Sequence, residues 1–241
     1  MCIYRSVRLQ LPVKLLAFDT STEYLSLALM QEDKISTFDV LAGQSHSQLI
    51  LPQIQALLAA AGLQLQDLQG IAFGAGPGSF TGVRIAAGVA QGLGFGAGLP
   101  VAGICTLQAL AEASGADKVI ACLDARMGEV YHAAYVKNAG VWQTVIEPGL
   151  YKPEAVPAIK DSDWVGAGSG WQTYGEVLSH AYQEQLQEVL PELLPSASAI
   201  LRLAQPLFAS GQPLPAAEAM PIYIRNRVAL KTAEREQGMR L

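Results

Sequence analysis

One stretch limits what this chain can fold into more than any other: Gly74 to Gly98, GAGPGSFTGVRIAAGVAQGLGFGAG. It opens on a loop, Gly74 to Gly82, that holds four of the chain's 23 glycines together with Pro77. Glycines this dense beside a proline serve positive φ angles and close backbone approach rather than slack. Ile71-Ala72-Phe73 just before the loop reads as the end of a buried strand. After it, small residues recur every fourth position, with Gly88, Gly92 and Gly96 on one ridge and Ala86, Ala90, Gly94 and Gly98 on the next. Residues four apart share a helix face, so such ridges let another helix come almost to backbone contact. Each glycine costs about 1 kcal/mol of helix propensity relative to alanine, so this helix must be held by what packs on it. Three readings stay open: a strand-to-helix turn with a helix packed into a core, a helix that docks a partner, and a loop that cradles phosphate at a helix N-terminus. The Lys-Ser/Thr of a Walker loop is missing, and the glycine spacing does not fit the dinucleotide fingerprint. Arg84, Gln91 and Pro100 interrupt the stretch, which argues against a membrane span.

At 241 residues the chain has room for one large domain or two lobes, and 51% hydrophobic against 15% charged residues supplies a generous core. A net charge of −5 argues against a protein whose main work is gripping nucleic acid. The charge is uneven, however: residues 225–241 carry a local +3, leaving −8 for the rest. Arg225, Arg227 and Lys231 of this basic tail are the candidate RNA or partner contacts. Cys2, Cys105 and Cys122 form an odd, unpatterned set, neither a disulfide framework nor a zinc site, which points to a reducing compartment. Residues 1–13 lack the features of a secretory signal and read as an extension, and the expected location is the cytoplasm. His46, His132 and His180 are scattered without helical pairing, so no metal is expected.

Three strand-like runs open the chain, Lys14 to Thr22, Leu25 to Met30 and Lys34 to Leu41, as an antiparallel meander. Ser45 to Gly62 is the first helix, with Ser45 or Ser47 to cap it and Gly62 to end it. Its apolar residues spread over an unusually wide face: Leu51, Ile54 and Leu58 make one stripe, and Ile50, Leu57 and Ala61 the next. A second burying surface, from this chain or another, is therefore expected. Strand Gly70–Phe73, the glycine loop with its helix, strand Pro100–Cys105 and a helix from Leu107 complete the first cycle. A second begins with strands at Lys118–Ala125, Val130–Val136 and Val141–Ile146. It continues with a short helix in Pro153–Lys160, a strand at Trp164–Gly166 and a helix over Ser196–Ser210. Both halves open on three strands, which predicts two similar α/β lobes with a cleft between them. The expected bounds are 14–108 for the first lobe, 109–218 for the second, and 219–241 for a strand and basic tail that returns to the first.

Asp19-Thr20-Ser21-Thr22 places a carboxylate and hydroxyls on a strand-end turn, where such groups hold a metal-bound water and phosphate oxygens or satisfy the turn's own backbone. With the loop they make the candidate nucleotide set: Asp19, Thr20, Ser21, Gly76, Gly78, Ser79 and Thr81. Asp124 and Arg126 form an ion pair on a charged turn or face the cleft. No Ser/His/Asp or Cys/His arrangement follows from spacing, so nucleophilic catalysis has no support.

Four stretches together resemble one family: Phe18-Asp19-Thr20-Ser21-Thr22, GPGSFTGVR at Gly76 to Arg84, DARMGEVY at Asp124 to Tyr131, and Pro221-Ile222-Tyr223-Ile224-Arg225. In order and spacing they are similar to the TsaB (YeaZ) family of bacterial tRNA threonylcarbamoyladenosine biosynthesis proteins, from about Lys14 to Arg227. The resemblance implies an actin-like ATPase fold with duplicated βββαβαβα lobes and a catalytic paralogue, TsaD, as partner, alongside the ATPase TsaE. Together these move a threonylcarbamoyl group from its adenylate to the adenosine beside the anticodon of tRNAs that read codons starting with A. TsaD-like sequences carry a metal-holding histidine pair on the helix after the fifth strand. Here that helix reads Thr106-Leu107-Gln108-Ala109-Leu110-Ala111 and has no ligand. The resemblance thus implies a non-catalytic partner subunit, bound to TsaD through two helices from each chain and a homodimer when alone. The interface set is Leu49, Ile50, Leu51, Ile54, Leu58, Arg84, Gly88, Gly92 and Gly96. No cofactor is assigned beyond ATP or ADP at or near the partner junction. The competing expectation is an ATP-using phosphotransferase of the same superfamily, with Asp19 facing a metal; a metalloprotease is a third.

Overall fold

A computed structural model describes residues 13–225. Among these residues ten strands form two five-stranded mixed sheets, and five α-helices cover them. The first sheet contains β1 (Lys14–Asp19), β2 (Tyr24–Gln31), β3 (Lys34–Leu41), β4 (Gly70–Gly76) and β5 (Val101–Cys105), in the order β3-β2-β1-β4-β5. The second contains β6 (Lys118–Asp124), β7 (Val130–Asn138), β8 (Val141–Tyr151), β9 (Trp164–Ala167) and β10 (Leu186–Leu190), in the order β8-β7-β6-β9-β10. The two orders are one pattern used twice. Each sheet joins an antiparallel three-strand meander to two parallel strands, β1 on β4 on β5 and β6 on β9 on β10. The duplicated α/β architecture expected from the two cycles is what the chain forms, and it is the actin-like arrangement.

The cycles differ in their helices. Between β3 and β4 the chain makes α1 (His46–Ala60), while between β8 and β9 it makes only a single 3-10 turn, Pro153–Ala155. The helices α2 (Phe80–Ala97), α3 (Thr106–Ser114), α4 (Ser169–Ala181) and α5 (Ala197–Ala209) complete the set. Helices α1 and α2 cover one face of the first sheet, where Ile50, Ile54, Leu58, Ala86, Ala87 and Ala90 pack with Leu16, Phe18, Leu27 and Phe73. The opposite face is covered by α5, whose Ala197, Ile200, Leu201 and Ala204 pack on Leu15, Ala17, Ala28 and Ala72. In return α3, which follows the first sheet in sequence, lays Leu107, Leu110 and Ala111 on the second. The last helix of each cycle therefore serves the other lobe. The division at 108/109 with a lobe running to 218 needs correcting: α5 lies within 109–218 and belongs to the core of the first sheet.

Glu112 of α3 fastens this exchange. Its carboxylate accepts from Lys137 Nζ of β7 at 2.7 Å, Trp142 Nε1 of β8 at 2.8 Å and Arg202 Nε of α5 at 2.8 Å. Burial works to raise this carboxyl, but the three donors outweigh it and hold the group below the usual carboxylate range. After α5 the chain returns to the first lobe. Leu214 and Val101 exchange backbone hydrogen bonds of 2.8 Å in each direction, and the Ile222 N–H donates to the Ala75 carbonyl at 2.7 Å. The return expected of 219–241 thus begins by Leu214. Its described part makes no regular strand, because only isolated backbone pairings form along it.

Candidate functional site

Three groups of residues were candidates, and the structure places them very differently. The nucleotide set comes together, but it is closed. Asp19, Thr20 and Ser21 at the end of β1 are all buried. The glycine loop lies directly on them: the Ser79 N–H donates to the Ser21 carbonyl at 2.8 Å, and Thr20 Oγ1 donates to the Gly82 carbonyl at 2.7 Å. Glycine is needed for this approach. A Cβ at Gly82 would sit 1.8 Å from the Thr20 carbonyl oxygen, and one at Gly78 would sit 2.6 Å from that of Ser21. Ser79 caps α2 by accepting from the Gly82 N–H. From the far side, Thr106 Oγ1 donates to the Pro77 carbonyl. The Thr20 and Ser21 hydroxyls and the Ser21, Pro77 and Gly82 carbonyls are thus paired within the turn, the loop and Thr106, so these groups are occupied by one another rather than turned out to cradle phosphate. Ser79 and Thr81 are exposed.

Asp19 is left in an unusual state. Its Oδ1 accepts from the Ser21 N–H at 3.0 Å and from Ser21 Oγ at 2.8 Å, while Oδ2 lies buried over Gly74 with no hydrogen-bond partner. Burial raises its pKa to about 6, against the lowering effect of the two Ser21 contacts. Asp124 and Arg126 pair locally at 3.1 Å on the β6–β7 turn, with Arg126 largely exposed. Among the described residues no three His, Cys, Asp or Glu side chains gather as metal ligands. Leu107, Leu110 and Ala111 of α3 are core residues instead.

The tail divides. Arg225 is turned inward, its side chain only 10% exposed, with Nη2 2.5 Å from Glu129 Oε2 and Nη1 2.9 Å from Met127 Sδ. That ion pair to the second lobe removes it from the proposed RNA-contacting surface. Arg227 and Lys231 lie outside the described residues.

The interface set also divides, along the helix faces. Ile50, Ile54 and Leu58 of α1 are buried against the chain's own first sheet, and Leu49 packs half-buried beside them. These four belong to the core, so they are withdrawn from the interface. Leu51 points outward, 49% exposed. On α2 the two ridges of small residues part company. Ala86, Ala90 and Gly94 face inward, and a Cβ at Gly94 would meet Ala216 Cβ at 2.7 Å. Gly88, Gly92 and Gly96 face outward, where a Cβ would meet nothing within 4 Å. Counting back in fours extends this outer ridge through Arg84 to Phe80, which is 51% exposed, and Phe95 beside it is 67% exposed. Ser47, Leu51, Gln55 and Ala59 form the outward row of α1.

Across the 33 residues of α1 and α2 the one formally charged side chain is Arg84. A helix that borders water ordinarily carries charge on its outer face. Depletion of charge together with exposed aromatic and aliphatic side chains is the composition of an interface core. Phe80 and Phe95 were missed as site residues; their place on or beside the every-fourth-residue row of glycines is the signal that would have found them. Between this face and the second lobe, a cavity of about 370 Å³ is lined by Phe80, Val83, Arg84, Tyr131, Tyr223 and Arg225, among others.

Comparison with known proteins decides the family. The family model described as TsaD, tRNA N6-adenosine threonylcarbamoyltransferase, matches residues 40–230. The tRNA threonylcarbamoyladenosine biosynthesis protein TsaB of Escherichia coli strain K12 is 39% identical over 230 residues, covering 91% of this chain and 97% of that protein. The chain belongs to the TsaB family. The TsaB protein of Haemophilus influenzae is likewise 39% identical over 230 residues, covering 90% of this chain and 95% of its own length. A solved structure of YeaZ from Pseudomonas aeruginosa superposes with a TM-score of 0.79 at 39% identity, over 88% of this chain and 99% of that one. TsaB membership supports the biosynthetic reading over the phosphotransferase alternative. No helix among the described residues is long and apolar enough to cross a membrane.

Proposed function

We propose that this chain serves tRNA threonylcarbamoyladenosine biosynthesis in the cytoplasm as a non-catalytic subunit. In this reading the α1–α2 face docks a TsaD-like catalytic partner. The place in the pathway follows from its family. The observation that carries the docking role is the outer surface of α1 and α2, which is uncharged apart from Arg84 and grooved by Gly88, Gly92 and Gly96. A partner's two helices laid on this pair make a four-helix contact, and the same surface on a second copy supports a homodimer when the partner is absent. The closed Asp19 turn, with its hydroxyls and backbone groups already paired to one another, supports a scaffold rather than a phosphate-transferring site. Nucleotide use and a TsaE-like ATPase then belong to the assembled complex, with ATP or ADP at or near the partner junction.

Reconstitution tests this. Purified chain alone is expected to turn over neither ATP nor threonylcarbamoyl-adenylate, whereas adding it to the TsaD-like and TsaE-like subunits raises formation of modified tRNA at least tenfold. Turnover by the chain alone, or full activity of the other subunits without it, contradicts the proposal.

A further inference from the structure

The single charge on the α1–α2 face is held in a way that selects what sits on that face. Arg84 lies one helical turn before Gly88. Its guanidinium carbon is 3.3 Å from the centroid of the Phe80 ring and 4.8 Å from that of Tyr223. Nη1 donates to the Phe80 carbonyl at 3.0 Å. The guanidinium is therefore flat, stacked and oriented before any partner arrives, while remaining exposed. Among the described residues no carboxylate reaches it; the ion pairs formed are those of Arg126, Lys137, Arg202 and Arg225. Arg225, on the wall of the same cavity, is already committed to Glu129. An arginine covered by an interface without a counter-charge is costly, whereas a pre-oriented fork meeting a carboxylate gains paired hydrogen bonds.

We infer that Arg84 is the selectivity determinant of this face: it receives a carboxylate from the catalytic partner's facing helix, and lack of that carboxylate weakens self-association. The inference rests on the docking role proposed above. A second copy cannot supply the carboxylate from the helices it would present, because α1 and α2 contain no acidic residue. The acids on the short helices packed against α2 are Glu218, on Ala216–Glu218, and Asp67, on Leu65–Asp67, whose Oδ2 already accepts from the Gln64 N–H at 2.7 Å. The same charge thus favours the mixed complex and penalises the homodimer, since charge placement discriminates between partners by attraction to one and desolvation against the other.

Sedimentation of the full chain, alone and with the TsaD-like subunit, tests this. Arg84→Glu is expected to weaken the mixed complex more than 100-fold and Arg84→Gln about tenfold. Self-association of Arg84→Gln is expected to tighten, with the melting temperature preserved because the side chain is exposed, and unchanged self-association overturns the penalty on the homodimer. Arg84→Lys keeps the charge but loses the planar stack, and is expected to fall between wild type and Arg84→Gln. Replacing the facing partner acid with Arg restores binding to Arg84→Glu and to no other variant. Wild-type affinity in Arg84→Glu overturns the inference while leaving the docking role standing. A homodimer weakened by Glu218→Gln also overturns it, because Arg84 then has its carboxylate in the self-complex. No binding by the wild-type chain removes the docking role, and this inference with it.

Discussion

Gly92→Leu is expected to leave a folded chain that no longer binds its partner. The position lies in mid-helix on the outer ridge of α2, and a side chain there would meet nothing within 4 Å of its own protein. Replacing glycine inside a helix gains up to about 1 kcal/mol of propensity, so the melting temperature should hold or rise slightly. The cost falls on the complex. A groove of three glycines admits another helix to near backbone contact, and a leucine at its centre holds the two apart. Overpacking of this kind costs about 3 kcal/mol where neighbours cannot yield, which converts to roughly a 100-fold loss of affinity. Calorimetric titration with the TsaD-like subunit checks it. Wild-type affinity in a folded Gly92→Leu protein would mean that the partner sits elsewhere.

Gly82→Ala, ten residues earlier on the same helix, should do the reverse: damage the fold first and binding only as a result. Its Cβ would lie 1.8 Å from the Thr20 carbonyl oxygen and 2.9 Å from the carbon behind it. Neither is the tip of a flexible side chain. Either the β1-end turn or the start of α2 must move, and the Thr20–Gly82 hydrogen bond of 2.7 Å goes with it. A loss of about 3 kcal/mol is expected, lowering the melting temperature by on the order of 10 °C in a chain of this size. Gly88→Ala, in open space six residues on, is the control and should be neutral or mildly stabilising. Equal melting temperatures for Gly82→Ala and Gly88→Ala would contradict the packing of the loop on the Asp19 turn.

Much of this architecture is legible in the sequence because the local signals agree. The two meanders, the glycine turn after β4, and the helix ends at Gly62, Gly98 and Gly115 follow from alternation and from glycine's access to positive φ. What escaped had no such signal. Helix α4 buries only Gly170, Trp171 and Leu178, contains Gly175 and is kinked at Tyr174, so no apolar stripe announces it. Strand β10, LQEVL, is a polar edge strand that buries none of its residues fully. The exchange of α3 and α5 between lobes is a long-range event that local periodicity does not record.

The site was legible in kind but less so in detail. Periodicity groups Leu51 with Ile54 and Leu58 and sets Ile50 on the next stripe, whereas the buried row is Ile50, Ile54 and Leu58 with Leu51 turned outward; nor does it say whether the chain itself or a partner buries either stripe. Absence of charge was the more informative pattern, since it isolates the outward rows of α1 and α2 and leaves Arg84 alone among them. The Asp19-Thr20-Ser21 cluster misleads for the opposite reason. Its polar groups suggest a ligand, whereas the Ser21 hydroxyl and N–H turn back on Asp19, and the Thr20 hydroxyl and Ser21 carbonyl pair with a loop some 60 residues away in sequence.

A docking face made of α1 and α2 together is read most directly by amide hydrogen exchange. The chain is followed alone and in the presence of the TsaD-like subunit. Added protection is expected in peptides covering His46–Ala60 and Phe80–Ala97, with β8 and β10 of the second lobe unchanged. Protection confined to the second lobe, with both helices exchanging as they do in the free chain, would contradict the account.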